Sequence, residues 1–384
     1  MNPLTALAIV SFSGALFMRS LDPIIPDIAQ ALHVLPSTAA LLSTAFAVPY
    51  ALNQPLLGAL ADMFNKPRLM LGCLALLAAA TLAGSVVDNF EFLMVSRIIA
   101  GVGAGGLIPI AFAIVGDLVP IQERQVAMGR LLFAIMSGNL LGALAAGVIT
   151  DLFGWRMVLV ALAALGFITL VVAYIGLRDV GTKGGRFDLS QTWPNYRSIF
   201  ANPLAKFCFI TVFIEALFMY GLFPHMASLL QAAGETRASI AGLVIAGFGI
   251  GGAVYGLRVA WLLDRFGERG MMWVGGFAMG GCIAFVALQA PWPVQFLDFF
   301  VLGLGFYMMH GVVQIYASEL SATARGSAMA LHSCFFFLGQ AIGPVYYKYG
   351  FAHVGVTPIL LFSGIVLVVT AFVCGRYLRR TSMI

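Results

Sequence analysis

Residues 15–23 read ALFMRSLDP, and residues 216–224 read ALFMYGLFP. Six of the nine letters are identical, at a constant offset of 201 in a chain of 384 residues. The offset is not confined to this stretch. RQVAMG at 124–129 matches RGSAMA at 325–330, and Gly138 and Gly142 match Gly339 and Gly343. Asp62 and Phe64 match Asp264 and Phe266 at an offset of 202. Self-similarity of this length marks a duplicated bundle rather than a short solenoid repeat. The copies differ at one point of chemistry: Arg19 and Asp22 of the first become Tyr220 and Phe223 in the second.

The chain is 61% hydrophobic and 10% charged, against roughly 25% charged residues in soluble domains. Twelve apolar runs are long enough to cross ~30 Å of hydrocarbon. They lie near 4–30, 38–60, 69–87, 92–118, 127–150, 157–177, 207–231, 239–262, 270–290, 294–317, 326–349 and 357–377. Without the alternating pattern of a porin strand, such runs are helices, because only a helix satisfies its backbone hydrogen bonds within one segment. The expectation is an all-α membrane protein with twelve transmembrane helices in two pseudo-symmetric six-helix bundles. The bundles take residues 1–177 and 207–384, and the polar stretch 178–206 links them. Bundles duplicated in parallel are related by an axis along the membrane normal and are able to rock against each other.

The net charge of +5 is topological rather than a nucleic-acid footprint. With the amino terminus placed in the cytoplasm, fifteen of the twenty-one basic residues fall on inner loops, linker and carboxyl tail. Arg156, Arg237 and Lys348 fall outside, and Arg19, Arg97 and Arg258 within spans. That bias predicts a multi-pass protein of the inner (plasma) membrane with both termini cytoplasmic. The first run is too long and uninterrupted for a cleaved signal peptide. Cysteines 73, 208, 282, 334 and 374 are scattered singly, without metal or disulfide spacing. GVGAGG (101–106) and GFGIGG (247–252) fit a dinucleotide fingerprint, but both sit inside membrane helices and read as helix packing. No nucleophile elbow, zinc motif or phosphate loop is present, so neither an enzyme nor a cofactor is expected.

GALADMFNKPR (58–68) joins the second and third runs. Gly58 permits close helix approach, Asp62 sits where a carboxylate favours a helix amino terminus, and Lys66 and Arg68 hold the inner face. AWLLDRFGER (260–269), with Asp264 and Arg265, is a weaker second copy. At these residues the chain resembles the major facilitator superfamily, whose loop motif reads Gly-x-x-x-Asp followed by a glycine and basic residues. Asn65 stands in place of that glycine and Met63 in place of a basic residue. The glycines Gly129, Gly138, Gly142 and Gly147 resemble the fifth-helix pattern of the drug/proton antiporter branch. Ala143 stands where that pattern has proline, which the second copy keeps at Pro344. Read as packing alone, these small residues let helices approach and bend.

A charge at the bilayer centre costs about 2.5–3.5 kcal/mol on insertion scales, so each one needs a reason. Arg19 and Asp22 are three apart and able to pair. Counted from the helix ends, Asp22 and Arg97 lie at similar depth. The resemblance implies proton coupling through Asp22 and Arg97, the latter in an R-x-x-x-G pattern ending at Gly101; a structural Arg19–Asp22 pair is the alternative. Glu215, in the seventh run, takes the place of Gly14 in the first copy. It either carries a proton in hydrocarbon or faces the linker side and is solvated. Asn53, Gln54, Tyr220, His310, Gln314 and His332, with Arg19, are the polar candidates for a mixed polar and aromatic central cavity. The expected function is alternating-access transport of an amphipathic small molecule with protons as the coupling partner, by a monomer in the lipid bilayer. Export is the first reading. Uptake of a sugar or organic anion, held by Arg19 and Arg97, is the second.

Overall fold

The computed structural model describes residues 1–181, 189–321 and 324–378; the side chains at 55–63, 121, 122, 125, 189–193 and 195 lie outside that description. Helices account for every regular element among the described residues. Contacts divide the chain into two compact units. One is Met1–Phe187 with Pro224–Ser228 and Thr236–Leu243; the other is Asp188–Phe223, Leu229–Glu235 and Val244–Ile384.

The first unit opens with α1 (Pro3–Arg19), where the Asn2 side chain accepts from the Leu4 N–H and Pro3 needs no donor partner. α1 stops at Arg19. A 3₁₀ turn, Asp22–Ile24, follows, and α2 (Ile25–Ala31) completes the span. Pro23 and Pro26 explain the break, since proline removes a donor and pushes the residue before it out of helical geometry. Then come α3 (Pro36–Ala39), α4 (Leu41–Met63), α5 (Lys66–Ser85), α6 (Phe90–Leu118), α7 (Ile121–Phe153) and α8 (Trp155–Leu177). Gly154, at φ 83°, turns the chain from α7 into α8 in a conformation that favours glycine. Within this unit α1 packs on α7, α4 on α6, and α5 on both α6 and α8.

The remaining helices are α9 (Leu189–Ala201), α10 (Ala205–Ala232), α11 (Ala238–Phe285), α12 (Trp292–Ser318), α13 (Arg325–His353) and α14 (Val356–Tyr377). α11 is two helices in one: Gly267, at φ 63° and ψ 170°, breaks its 48 residues. Ten described helices are long and apolar enough to cross a membrane, and α11 is a single one of them. The break at Gly267 divides α11 into two helices, and α4, at 23 residues, is ~35 Å long at 1.5 Å per residue. The count is consistent with the twelve expected. The linker region 178–206 contains a helix, α9, whose Ile199 is buried and whose Phe200 packs edge-on to Phe209 of α10.

The duplication is visible in backbone contacts. In the first unit a Cβ on Gly138 would strike the Phe12 carbonyl oxygen, and one on Gly142 the Leu16 carbonyl oxygen. In the second, a Cβ on Gly339 would strike the Phe213 carbonyl oxygen, and one on Gly343 that of Leu217. All four partner pairs are related by the offset of 201. The glycines therefore seat α7 on α1, and α13 on α10, at a separation no other residue permits. Gly129 has nothing near it. Gly142→Ala and Gly343→Ala should each cost roughly 1–3 kcal/mol through overpacking, read as a lower Tm in detergent, whereas Gly129→Ala should leave Tm unchanged. Equal Tm values for all three would contradict the packing assignment.

Candidate functional site

Two buried polar centres and one loop cluster gather most of the residues singled out in the sequence. In the first unit, Asp22 is fully buried and Arg19 nearly so. Their Nη1 and Oδ2 atoms are 3.2 Å apart, and the Ser43 hydroxyl of α4 donates to Asp22 Oδ1 at 2.8 Å. The break in the first span places the carboxylate in the 3₁₀ turn beyond α1 rather than on that helix. Arg97 of α6 is 2% exposed, and its guanidinium lies over the Phe46 ring at 4.4 Å. Its Nε and Nη1 have no hydrogen-bond partner. The structure therefore pairs Asp22 with Arg19, while Arg97 lies close enough to feel the Asp22 charge and sets its guanidinium on an aromatic face.

Asn53 and Gln54 are spent on the scaffold. Asn53 Nδ2 donates to the Val102 carbonyl at 3.0 Å and Gln54 Nε2 to that of Gly105 at 3.3 Å, fastening α4 to α6.

The second unit buries Glu215 of α10 completely. Its Oε2 lies 3.0 Å from Nδ1 of His310 on α12, and its Oε1 has no partner. His332 of α13 stands 5.2 Å from His310, ring centre to ring centre, with its Nε2 unpartnered. Phe306 stacks on His310 at 4.7 Å and Phe336 meets it edge-on at 5.4 Å. Tyr220 packs against Phe306, Phe336, Phe248 and Phe223. Gln314, one turn beyond His310, is exposed. Glu215 is enclosed in the unit rather than exposed at the linker side.

Gly58 and Asp62 of the loop motif lie outside the described side chains. Asn65 is described, and its Oδ1 accepts from the Arg68 N–H at 3.0 Å as the N-cap of α5. The buried Lys66 reaches Asp117 at the end of α6, Nζ to Oδ2 2.6 Å. Arg124 Nη2 donates to the Gly116 and Val119 carbonyls at 2.7 and 3.3 Å, closing the carboxyl end of α6. Arg68, Asp264 and Arg265 are exposed. Gly147 of α7 faces Ala238 at the start of α11. There the Asp151 carboxylate accepts from the Ala238 and Ser239 N–H groups, each at 2.9 Å. Ser43, Asp117 and Asp151 were not expected from sequence. Each is a short polar residue in or beside an apolar run, and that position was the one signal available.

A helical membrane protein with a duplicated architecture and buried charge centres has the form of a secondary transporter. The chain belongs to the Major Facilitator Superfamily, whose pattern matches residues 7–344 and again 236–383. It is 26% identical over 333 residues to multidrug resistance protein 2 of Bacillus subtilis, covering 84% of this chain and 82% of that one. It is 26% identical to the quinolone resistance protein NorA of Staphylococcus aureus over 336 residues, covering 84% and 83%. The crystal structure of a bacterial homolog of the human lysosomal transporter Spinster, inward-facing and unoccupied, superposes with a TM-score of 0.75 at 17% identity. That match covers 97% of this chain and 96% of the other. Family and fold are those of transporters rather than enzymes.

Asn65 stands where the family's loop motif has glycine, and both residue types are favoured at an N-cap. Asn65→Ala should lower stability by about 1 kcal/mol and Asn65→Gly by a few tenths, measured as Tm shifts in detergent. An Asn65→Gly loss as large as that of alanine would remove the capping explanation.

Proposed function

We propose that the chain is a proton-coupled exporter of amphipathic small molecules, working by alternating access. One arrangement carries the reading. A fully buried carboxylate, Asp22, is held by Arg19 and Ser43, while a second buried guanidinium, Arg97, has donors to spare in the same unit. Protonation of Asp22 removes the charge that holds Arg19; deprotonation demands a cation again, and two are within the unit. A site that must surrender its proton in one state and regain it in another needs such alternative partners. Export is supported by the relatives, whose names are those of multidrug and quinolone resistance proteins. The competing reading, uptake of an organic anion, draws on the same excess of buried arginine over aspartate, with Arg97 as the anion's partner.

A flux assay separates the two. In proteoliposomes with an imposed pH gradient and a panel of amphipathic aromatic compounds, the wild type should move compound against protons. Asp22→Asn, a permanent mimic of the protonated form, should lower gradient-driven transport at least tenfold. Binding should persist and lose its pH dependence. Full gradient-driven transport by Asp22→Asn would remove Asp22 from the coupling role, and flux limited to anions would favour the uptake reading.

The positive-inside bias supports both termini facing the cytoplasm in the plasma membrane. Reporter fusions after residue 190 and after residue 380 should both report cytoplasm. A periplasmic signal from either would overturn that orientation.

A further inference from the structure

α14 carries an exposed face that takes no part in either polar centre. Ile365, Val369, Phe372 and Arg376 recur along it every three or four residues, all exposed on one side of the helix. Beside it runs the part of α11 beyond Gly267, where Arg269 and Phe277 are exposed and Trp273 stands midway between them. Small residues seat the two helices on each other. A Cβ on Gly276 would strike Ala371, one on Gly280 the Gly364 carbonyl oxygen, and one on Gly375 the Trp273 indole nitrogen. These contacts run antiparallel, so Arg269 and Arg376 come to the same end of the seam. Trp273 stacks on Phe372, ring centres 5.7 Å apart and planes 12° apart, which joins the two stripes into one surface. The Arg269 guanidinium lies over the Trp273 ring at 4.1 Å. Neither arginine has an acidic partner among the described residues. Glu268, next to Arg269, accepts from the Tyr316 hydroxyl at 2.8 Å, and Asp264 lies before the Gly267 break. An apolar stripe toward lipid is what any membrane helix shows. Two arginines at its end, one of them set on an aromatic stack and both without an acid, are not.

We infer that this face binds an anionic phospholipid, with its phosphate on Arg269 and Arg376 and its acyl chains along Phe372, Val369 and Ile365. A guanidinium presents a planar fork of N–H donors that suits phosphate, and basic residues beside a span draw anionic headgroups. Trp273 sets the depth, because an indole is favoured at the membrane interface. Its ring also holds the Arg269 side chain, so half of the cradle is built before lipid arrives. The length fits as well. Arg376 and Ile365 are eleven positions apart, ~16 Å of helix at 1.5 Å per residue, against ~15 Å for one leaflet of hydrocarbon. Arg269 ends the second copy of the loop motif, AWLLDRFGER, and gains here a use beyond charge on a loop. The orientation with both termini cytoplasmic makes this the inner leaflet. The site itself depends neither on that orientation nor on the proton-coupled reading.

The test uses the full chain purified in detergent and needs no transport substrate. Phosphatidylglycerol and phosphatidylcholine of identical acyl chains are titrated in turn, and bound lipids are counted by native mass spectrometry. The first phosphatidylglycerol should bind about tenfold more tightly than phosphatidylcholine, as expected for two basic residues at the surface. Arg269→Gln combined with Arg376→Gln should bring the two lipids level. Lys206→Gln should leave the preference intact, since Lys206 sits over Phe207 on α10, on another flank of α14 where Phe207 stacks on Tyr377. A second measurement needs no substitution. Phosphatidylglycerol with a photoactivatable headgroup should label the wild-type chain on peptides holding Arg269–Trp273 and Phe372–Tyr377. Equal affinity for the two lipids, a preference that survives the double substitution or falls equally with Lys206→Gln, or labelling confined to other peptides would overturn the proposal. So would a dimer that Val369→Arg dissociates, which would give the face to a second copy of the chain.

Discussion

Hydrocarbon offers no hydrogen bonds, so a polar group inside this chain finds a partner within the chain or goes without one. That constraint decides the backbone first. The runs become helices, and their ends are closed by Asn2, Asn65 and Asn89 side chains at amino termini and by Arg124 at the carboxyl end of α6. It then decides the side chains. Arg19, Asp22 and Ser43 satisfy one another, Asn53 and Gln54 turn to backbone carbonyls, and Glu215 turns to His310. Arg97 departs furthest, with an aromatic face where an anion would serve better. In a solvent this unforgiving, a group left under-compensated is the natural place for function to act.

Much of the fold was legible because membrane helices write themselves as long apolar runs and duplication writes itself as a constant offset. The glycine pairs were legible too, although the carbonyls they pack against came only with the structure. Gly138, Gly142, Gly339 and Gly343 seat helices on the first helix of their own copy. Boundaries inside a run were harder. Pro23 marked a break in the first span, yet Pro224, at the matching position, lies within an unbroken α10. A proline shows where a helix is allowed to stop, and the surrounding packing shows whether it does.

Partnerships across helices were the least legible. Asp22 with Arg19 could be read from spacing, since both sit on one segment. Ser43 with Asp22, Asp117 with Lys66, and His310 with Glu215 depend on how each helix is rotated about its axis. In a soluble helix the polar stripe reveals that rotation. Here lipid-facing and buried faces are both apolar, so α6 reads nearly uniform around its circumference although Arg97 and Ser96 are buried while Phe92 and Val95 are exposed. The α9 helix was hidden for the opposite reason: a polar, proline-containing stretch carries few of the signals that long apolar runs provide.

The two copies show how a shared backbone is given different chemistry. Position 14 of the first copy is glycine, and a Cβ there would lie 3.0 Å from Leu107 of α6. The matching position of the second copy is Glu215, which spends its extra atoms on His310. Positions 19 and 22 hold an ion pair in the first copy, and the matching Tyr220 and Phe223 hold an aromatic contact at 5.2 Å in the second. Charge and apolar packing have thus changed places along equivalent helices. Eight residues separate the two acids in the common frame. A duplicated structure with identical centres would bring both to the same depth and the same partners. With the carboxyls displaced, one set against guanidinium and one against imidazole, each centre answers to its own surroundings.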